Sequence, residues 1–135
     1  RMRTLLPDVG LSSDFMTGFC GETEAEHLDT LSLVRAVGYD TAYLFAYSER
    51  GKTQASRHQT DDVPEEVKLR RLQELNAEFR EVLTGKSRLE EGRVHLVLVE
   101  GNAKRKNTGL TGRNDAGRRV VFADRPVPAA YSASS

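Results

Sequence analysis

The chain has 135 residues, of which 38% are hydrophobic and 30% charged, and its 20 basic and 20 acidic residues give a formal net charge of zero. This balance is typical of a soluble globular protein, and no apolar run approaches the ~20 residues that a membrane-spanning helix needs, so we expect no membrane role. A single cysteine excludes an intramolecular disulfide framework and a self-contained cysteine-ligated iron–sulfur cluster.

The beginning of the chain reads as the end of a helix followed by a strand. Residues 1–7 are typical of a helix end, and residues 8–10 suit a turn. A short buried strand is predicted over residues 9–15. Because the chain starts at Arg1 without an initiator methionine, we expect it to be a fragment of a longer protein.

Two glycines frame the turn after this strand, in a segment that we call the glycine loop, residues 18–22. Gly18 and Gly21 reach positive φ angles at little cost and allow a ligand to approach the backbone closely. In α/β sheets, ligands bind at the carboxyl ends of the strands. The glycine loop is therefore a candidate binding loop, and the alternative is a tight turn with only a structural role.

A helix is predicted to begin after Thr23. Thr23 and Glu26 have the spacing of a capping box, in which each side chain accepts a hydrogen bond from a backbone amide of the first turn. Gly38 is expected to end the helix, and His27 is expected to face solvent. The side chains predicted to face the core are Leu28, Leu31, Val34 and Val37.

Residues 41–47, rich in aromatic side chains, predict a second buried strand. A strand, a helix and a strand in succession predict a right-handed parallel crossover. Residues 49–60 show little periodicity and predict a long loop at the carboxyl end of the second strand. Loops in such positions often carry functional residues.

A longer helix is predicted after this loop. Asp62 should cap it, Pro64 is tolerated in its first turn, and Gly85 should end it. Glu66 and Arg70 have the spacing of an ion pair on a helix surface. The buried stripe of this helix is predicted to contain Leu72, Leu75, Phe79 and Val82.

The last third of the chain predicts a small β domain. A charged connector, residues 86–92, leads to a strand over residues 93–100, and further strands at 110–113 and 118–122 are joined by a hairpin turn. Three short strands suggest a small barrel. Basic residues in this third form a candidate surface for RNA phosphates: Lys104, Arg105, Lys106, Arg113, Arg118 and Arg119. On charge alone, a solvated loop is the alternative.

Together these segments resemble the radical-SAM methylthiotransferases, the MiaB-like enzymes that modify adenosine next to the tRNA anticodon. The resemblance is carried by SSDFMTGFCGETE at 12–24, FAYSER at 45–50, KTQA at 52–55, DDVPEEVKLRRL at 61–72, LVEG at 98–101 and GRN at 112–114. The segments occur in the family's order. Cys20 and Lys52 stand where bacterial members usually carry proline and glycine, so the chain is more similar to the animal mitochondrial branch.

The resemblance implies an α/β fold in two parts. Residues 1–90 would be the C-terminal part of a radical-SAM (β/α) partial TIM-type barrel, and residues 91–135 a truncated β-barrel TRAM domain with a disordered tail at 125–135. It also implies a tRNA methylthiotransferase, which adds a methylthio group to carbon 2 of isopentenyl-modified adenosine. Such enzymes use S-adenosylmethionine and two 4Fe-4S clusters.

The resemblance also implies the candidate site residues. The positions expected to contact S-adenosylmethionine are Phe15, Gly18, Phe19, Gly21, Glu22, Tyr47, Ser48 and Arg50. The guanidinium of Arg50 suits forked recognition of a carboxylate or phosphate, and the alternative is a solvated or ion-paired surface group. The six basic residues named above would contact tRNA, since the TRAM domain is associated with RNA binding.

The ligands of the clusters are absent from this chain. The family's C-x-x-x-C-x-x-C motif does not occur, Cys20 is expected to be a small buried residue or loop thiol, and the three histidines lack metal-ligand spacing. We therefore predict no catalytic and no metal-binding residue, and expect the fragment alone to be inactive. The alternative function is a non-catalytic RNA-binding or protein-interaction module, since animal family members have been linked to a cyclin-dependent kinase activator. The expected compartment is the mitochondrion or the cytoplasm, with no targeting segment in this chain.

Overall fold

The computed structural model describes residues 2–49, 58–103 and 109–124, and the chain divides into two compact units between Arg93 and Val94. The described residues of unit 1 form helices and a parallel pair of strands, and those of unit 2 form a three-stranded antiparallel sheet. The predicted α/β composition is confirmed. Within these ranges, no helix combines the length and the apolar character needed to cross a bilayer.

The elements of unit 1, in chain order, are α1 (Met2–Leu5), β1 (Ser12–Thr17), α2 (Glu24–Val37), β2 (Thr41–Ala46) and α3 (Glu65–Leu89). The helix end predicted at the start of the chain is confirmed. Its Arg3 donates hydrogen bonds to the carbonyl oxygens of Val37 and Gly38, so α1 is docked on the end of α2.

The two strands of unit 1 run parallel, as predicted, and their register begins with Ser12 opposite Thr41. The predicted bounds of 9–15 were wrong, because β1 starts and ends later in the chain. Just before this register begins, the carboxylate of Asp40 accepts a hydrogen bond from the backbone N–H of Leu11. Pairing with β2, rather than the apolar content of the preceding residues, therefore sets where β1 begins.

Helix α2 has the predicted ends, and its predicted core face is present at Leu31, Val34 and Val37 but not at Leu28. The capping box of Thr23 is present, and Gly38 ends the helix in the left-handed conformation, with a φ of 60°. However, His27 is fully buried and Leu28 is 56% exposed. His27 takes the inward position in the first turns because its Nε2 atom lies 2.8 Å from a carboxylate oxygen of Glu74 on α3.

The start of α3 differs from the prediction. The helix begins after Pro64, which occupies the N-cap position without a side-chain cap. Asp62, the predicted cap, uses its carboxylate to accept a hydrogen bond from the backbone N–H of Gly21, at 2.7 Å. The carboxylate of Asp62 therefore bonds to the glycine loop instead of capping the first turn of α3.

The end of α3 also lies beyond the predicted Gly85, and the predicted connector is helical as far as Leu89. Lys86 explains the extension, because its ammonium donates hydrogen bonds to the Gly38 carbonyl and to Asp40. These bonds fasten the last turns of α3 to the end of α2, so a glycine at this point does not stop the helix.

The buried surface between the helices and the sheet is partly charged. Val34 and Leu75 are fully buried, as predicted, but Lys68 and Arg71 are also almost completely buried. The other members of the predicted stripe, Leu72, Phe79 and Val82, are half-buried. The inner face of α3 is thus apolar in its middle and cationic towards its beginning.

Unit 2 contains β3 (Val97–Asn102), β4 (Leu110–Asn114) and β5 (Arg119–Phe122), in the order β3-β4-β5. The predicted hairpin turn between β4 and β5 is confirmed, with Gly117 at a φ of 72°. The predicted start of β3 at residue 93 was wrong, because its partner β4 ends opposite Val97. Gly101 lies inside β3, at a shift of register, and does not end the strand.

Candidate functional site

The glycine loop and the segment after β2 leave the same edge of the parallel sheet. Thr17 and Ala46, the last residues of the two strands, are partners in the register. The backbone N–H of Tyr47 donates to the carbonyl of Thr17 at 2.8 Å. The rings of Phe19 and Tyr47 meet edge to face, with centroids 5.1 Å apart. The two segments therefore lie side by side at the carboxyl edge, where ligands bind in parallel sheets.

The two glycines of the loop have different surroundings. Both have positive φ angles, 72° at Gly18 and 75° at Gly21. A Cβ added to Gly18 would lie 2.2 Å from Cγ of Lys68, whereas a Cβ added to Gly21 would meet no atom within 4 Å. The close approach that requires glycine at position 18 is thus made by Lys68, and the backbone at Gly21 is open.

Glu22 holds the glycine loop in a closed shape. One carboxylate oxygen accepts hydrogen bonds from the backbone N–H of Gly18 at 2.6 Å and from the Arg71 guanidinium at 2.7 Å. The guanidinium also donates to the Glu22 carbonyl at 2.9 Å. The side chains of Glu22 and Arg71 are only 12% and 5% exposed, so they form a buried ion pair that supports the loop rather than a surface ion pair.

Lys68 lies beneath the loop as a buried cation. Its ammonium is 2.6 Å from Asp61 and 2.8 Å from Glu65, and 5.4 Å from the centre of the Tyr47 ring. Burial acts to lower the pKa of Lys68, but the hydrogen bonds to Asp61 and Glu65 outweigh it and raise the pKa. The lysine is therefore charged in the folded protein.

Next to these buried ion pairs, a network of charged side chains joins the start of α2 to α3. Arg70 and Arg71 both contact Glu24, and Arg70 also pairs with Glu74 rather than with the predicted Glu66. Hydrogen bonds from Arg70, then from Arg71, lower the pKa of Glu24 to about 2. An open groove of about 360 Å³ lies beside this network. Because carboxylates already neutralise both arginines, the groove is not a ready anion site.

The predicted cofactor positions divide into three sets. Gly18, Phe19, Gly21, Glu22 and Tyr47 are gathered at the carboxyl edge, and exposed Ser48 follows directly. Phe15 lies apart from the Phe19–Tyr47 pair, with its ring against that of Tyr39, centroids 5.3 Å apart. Arg50 lies outside the described residues.

Sequence reasoning missed the residues that hold the loop. Lys68 and Arg71 were not singled out, although they precede Leu75 at helical spacing and extend its buried stripe towards the start of α3. That spacing was a usable signal. However, lysine and arginine are rarely buried without paired carboxylates, and the sequence of the helix alone does not show where their partners lie.

Of the six basic residues predicted to contact RNA, the structure describes three, all in unit 2. Arg113 and Arg119 face each other on β4 and β5. The guanidinium of Arg113 donates to Glu100 at 3.0 Å, and that of Arg119 donates to the Thr111 hydroxyl at 3.0 Å. Arg118 directly precedes β5, and its backbone N–H donates a hydrogen bond to the side-chain oxygen of Asn114. Lys104, Arg105 and Lys106 lie outside the described residues.

No metal centre is found among residues 2–49, 58–103 and 109–124, which contain no group of three or more potential histidine, cysteine or carboxylate ligands. Cys20 is a half-buried free thiol in the glycine loop. Its hydrogen bond to Tyr47 raises the pKa of the tyrosine phenol.

Comparison with known proteins identifies relatives along nearly the whole chain. A CDK5RAP1-like protein of Oryza sativa subsp. japonica is 58% identical over 129 residues, 95% of this chain and 22% of the rice protein. The mitochondrial tRNA methylthiotransferase CDK5RAP1 of Rattus norvegicus is 57% identical over 126 residues, 93% of this chain and 22% of the rat protein. The tRNA-2-methylthio-N(6)-dimethylallyladenosine synthase of Phocaeicola vulgatus is 46% identical over 122 residues, 90% of this chain and 26% of that synthase.

These relatives confirm the predicted resemblance to MiaB-like methylthiotransferases, and identity is higher to the rice and rat proteins than to the bacterial synthase. The chain spans 22–26% of the length of these relatives. No model of a known protein family matches the sequence.

We predict that Glu24 makes the stability of the chain depend on pH in the acidic range. Its pKa is about 2 in the folded chain instead of 4.5, so its contribution is complete above pH 4.5 and is lost as the pH falls towards 2. The free energy of unfolding, measured by urea denaturation, should therefore fall less steeply over this range in Glu24→Gln than in the wild type.

The matched control is Asp29→Asn, which removes an exposed carboxylate from the same helix. This variant should keep the pH slope of the wild type. If Glu24→Gln and the wild type lost stability in parallel between pH 4.5 and pH 2, the ion pairs of Glu24 would not stabilise the fold.

Proposed function

Because the chain is homologous over 90–93% of its length to tRNA methylthiotransferases, we propose that it is a segment of an enzyme that adds a methylthio group to carbon 2 of isopentenyl-modified adenosine in tRNA. The observation that carries this proposal is the identity of 57% to the rat protein and 46% to the P. vulgatus synthase, whose names state this class of reaction. In this proposal, unit 1 belongs to a radical-SAM (β/α) barrel and unit 2 to a TRAM domain.

The carboxyl edge of the parallel sheet is the proposed site for S-adenosylmethionine. The open backbone at Gly21 leaves room for a ligand, and Phe19, 37% exposed, presents an aromatic surface beside Tyr47 on which adenine can pack. We propose that Ser48, which follows Tyr47, and Arg50, by the family resemblance alone, also contact the cofactor. When bound, the cofactor supplies the radical and the methyl group. The residues of this chain bind and orient it.

The described residues do not fit the iron–sulfur clusters of the family. A 4Fe-4S cluster is held by several cysteine thiolates, and Cys20 is the only cysteine of the chain. We therefore propose that other parts of the enzyme supply the cluster ligands.

Unit 2 is the proposed tRNA-binding part. Arg113 and Arg119 are opposite each other in the register of β4 and β5, where like charges repel unless counter-charges are near. Glu100 neutralises Arg113 in part, and RNA phosphates would supply further negative charge. This arginine pair also supports a second candidate function, a non-catalytic RNA-binding module. We propose the mitochondrion as the compartment, in keeping with the names of the rat, mouse and human relatives.

The proposed function predicts that residues 2–124 can replace the matching segment of the P. vulgatus synthase. The chimera, expressed in a strain that lacks its own synthase, should restore 2-methylthio nucleosides to tRNA, as measured by mass spectrometry of digested tRNA. The native synthase and an empty vector are the controls. A chimera that accumulates as folded protein but leaves tRNA without the methylthio group would contradict the proposal.

The tRNA-binding role predicts an effect of the arginine pair that depends on salt. Arg113→Gln and Arg119→Gln should each weaken tRNA binding by the full chain and lower the slope of log K against log salt by about 0.7–0.9 for each phosphate that the variant no longer neutralises. The measurement is filter binding over a series of NaCl concentrations.

Arg80→Gln, which removes an exposed arginine from α3 in unit 1, is the matched control and should leave the slope unchanged. If the three variants bind tRNA with the same affinity and slope as the wild type, the arginine pair is not part of the RNA interface.

A further inference from the structure

Lys68 is the most deeply buried charge among the described residues, at 1% exposure, and stability alone does not explain it. An ion pair in a protein interior can often be replaced by an apolar residue of similar volume at little cost, because the desolvation penalty offsets the attraction. A methionine has a stem of similar length and would fill the same space against Gly18. The ammonium at this position therefore suggests a role that an apolar side chain could not fill.

Two contacts connect Lys68 to the aromatic pair of the candidate site. Its stem fills the position that a Cβ of residue 18 would occupy, which fixes how closely the glycine loop approaches α3. Its ammonium lies 5.4 Å from the centre of the Tyr47 ring, within the range of about 6 Å for a cation–π contact. Tyr47 in turn contacts Phe19 edge to face.

The ammonium is itself held in place. It donates hydrogen bonds to the carboxylates of Asp61 and Glu65, at 2.6 Å and 2.8 Å. The Lys68 carbonyl also accepts a hydrogen bond of 3.4 Å from the Thr17 hydroxyl, at the last residue of β1. Side chain and backbone of Lys68 thus contact both segments that leave the carboxyl edge.

We propose that Lys68 is a positioning residue for S-adenosylmethionine, which sets the place of the glycine loop and the orientation of Tyr47 and Phe19. Lys68 does not touch the cofactor. It acts through Tyr47, whose buried ring its ammonium contacts, while the more exposed Phe19 presents its ring to the adenine. This inference rests on the proposed function, since the aromatic pair is oriented for a cofactor only if one binds there.

The test compares two variants in the chimeric synthase defined above, prepared anaerobically. Lys68→Met keeps the stem and removes the charge, and Leu75→Ala removes a fully buried contact from the same helix away from the loop. S-adenosylmethionine affinity is measured by equilibrium dialysis and thermal stability by calorimetry. Lys68→Met should raise the Kd about tenfold, the lower end of what is lost when a residue that orients a metal ligand is removed. Leu75→Ala should lower the melting temperature and leave the Kd within about twofold.

A second measurement follows the local stability of the glycine loop itself. Amide hydrogen exchange of the peptide that contains residues 18–22 should accelerate in Lys68→Met without cofactor, because the loop loses its support, and should keep the wild-type rate in Leu75→Ala. If Lys68→Met keeps the wild-type Kd or the wild-type exchange rate, or if the two variants change the Kd equally, Lys68 does not have the proposed positioning role.

The two proposals fail in different ways. If the parental synthase binds S-adenosylmethionine and the unsubstituted chimera does not, the proposed function is wrong and the inference falls with it. If the chimera binds normally and Lys68→Met does too, only the inference is overturned.

Discussion

The burial of Lys68 against Gly18 is the contact on which the arrangement of the candidate site depends. A glycine is required at position 18 because the lysine stem occupies the space of a Cβ, and a lysine is tolerated at position 68 because Asp61 and Glu65 neutralise it. An uncompensated charge at this depth would be strongly unfavourable. The loop after β1 and the start of α3 therefore cannot be changed independently of each other.

Carboxylates around the loop are used for tertiary contacts rather than for local caps. Asp62 binds the Gly21 amide instead of capping α3, and Glu22 binds the Gly18 amide and Arg71. As a result, α3 begins without a side-chain cap, while the backbone N–H groups of Gly18, Gly21 and Glu22 are all hydrogen-bonded. The loop is thereby held in one shape before any ligand binds, which is the preorganisation that a cofactor site requires.

The sequence predicted those features whose causes are close together in the chain. The capping box of Thr23 and the glycine end of α2 depend on neighbouring residues, and both were confirmed. The start of β1 and the role of Asp62 depend on partners elsewhere, since the bond from Gly21 to Asp62 crosses 41 residues. The unexpected burial of His27 on α2 has the same kind of origin, because His27 contacts Glu74 on α3. The family resemblance could be predicted because its motifs are contiguous, whereas the support of the candidate site by Lys68 and Arg71 is a property of the fold.

The most direct test of this account compares the free energies of unfolding of Gly18→Ala and Gly21→Ala. Both positions have left-handed φ angles, 72° and 75°, so each variant should lose about 1–2 kcal/mol to backbone strain. Only at position 18 does the new Cβ meet Lys68, at 2.2 Å from its Cγ. We predict that Gly18→Ala loses a further 1–3 kcal/mol, roughly the cost of overpacking a buried site. Equal losses at the two positions would contradict the account, because they would show that Lys68 does not hold the glycine loop.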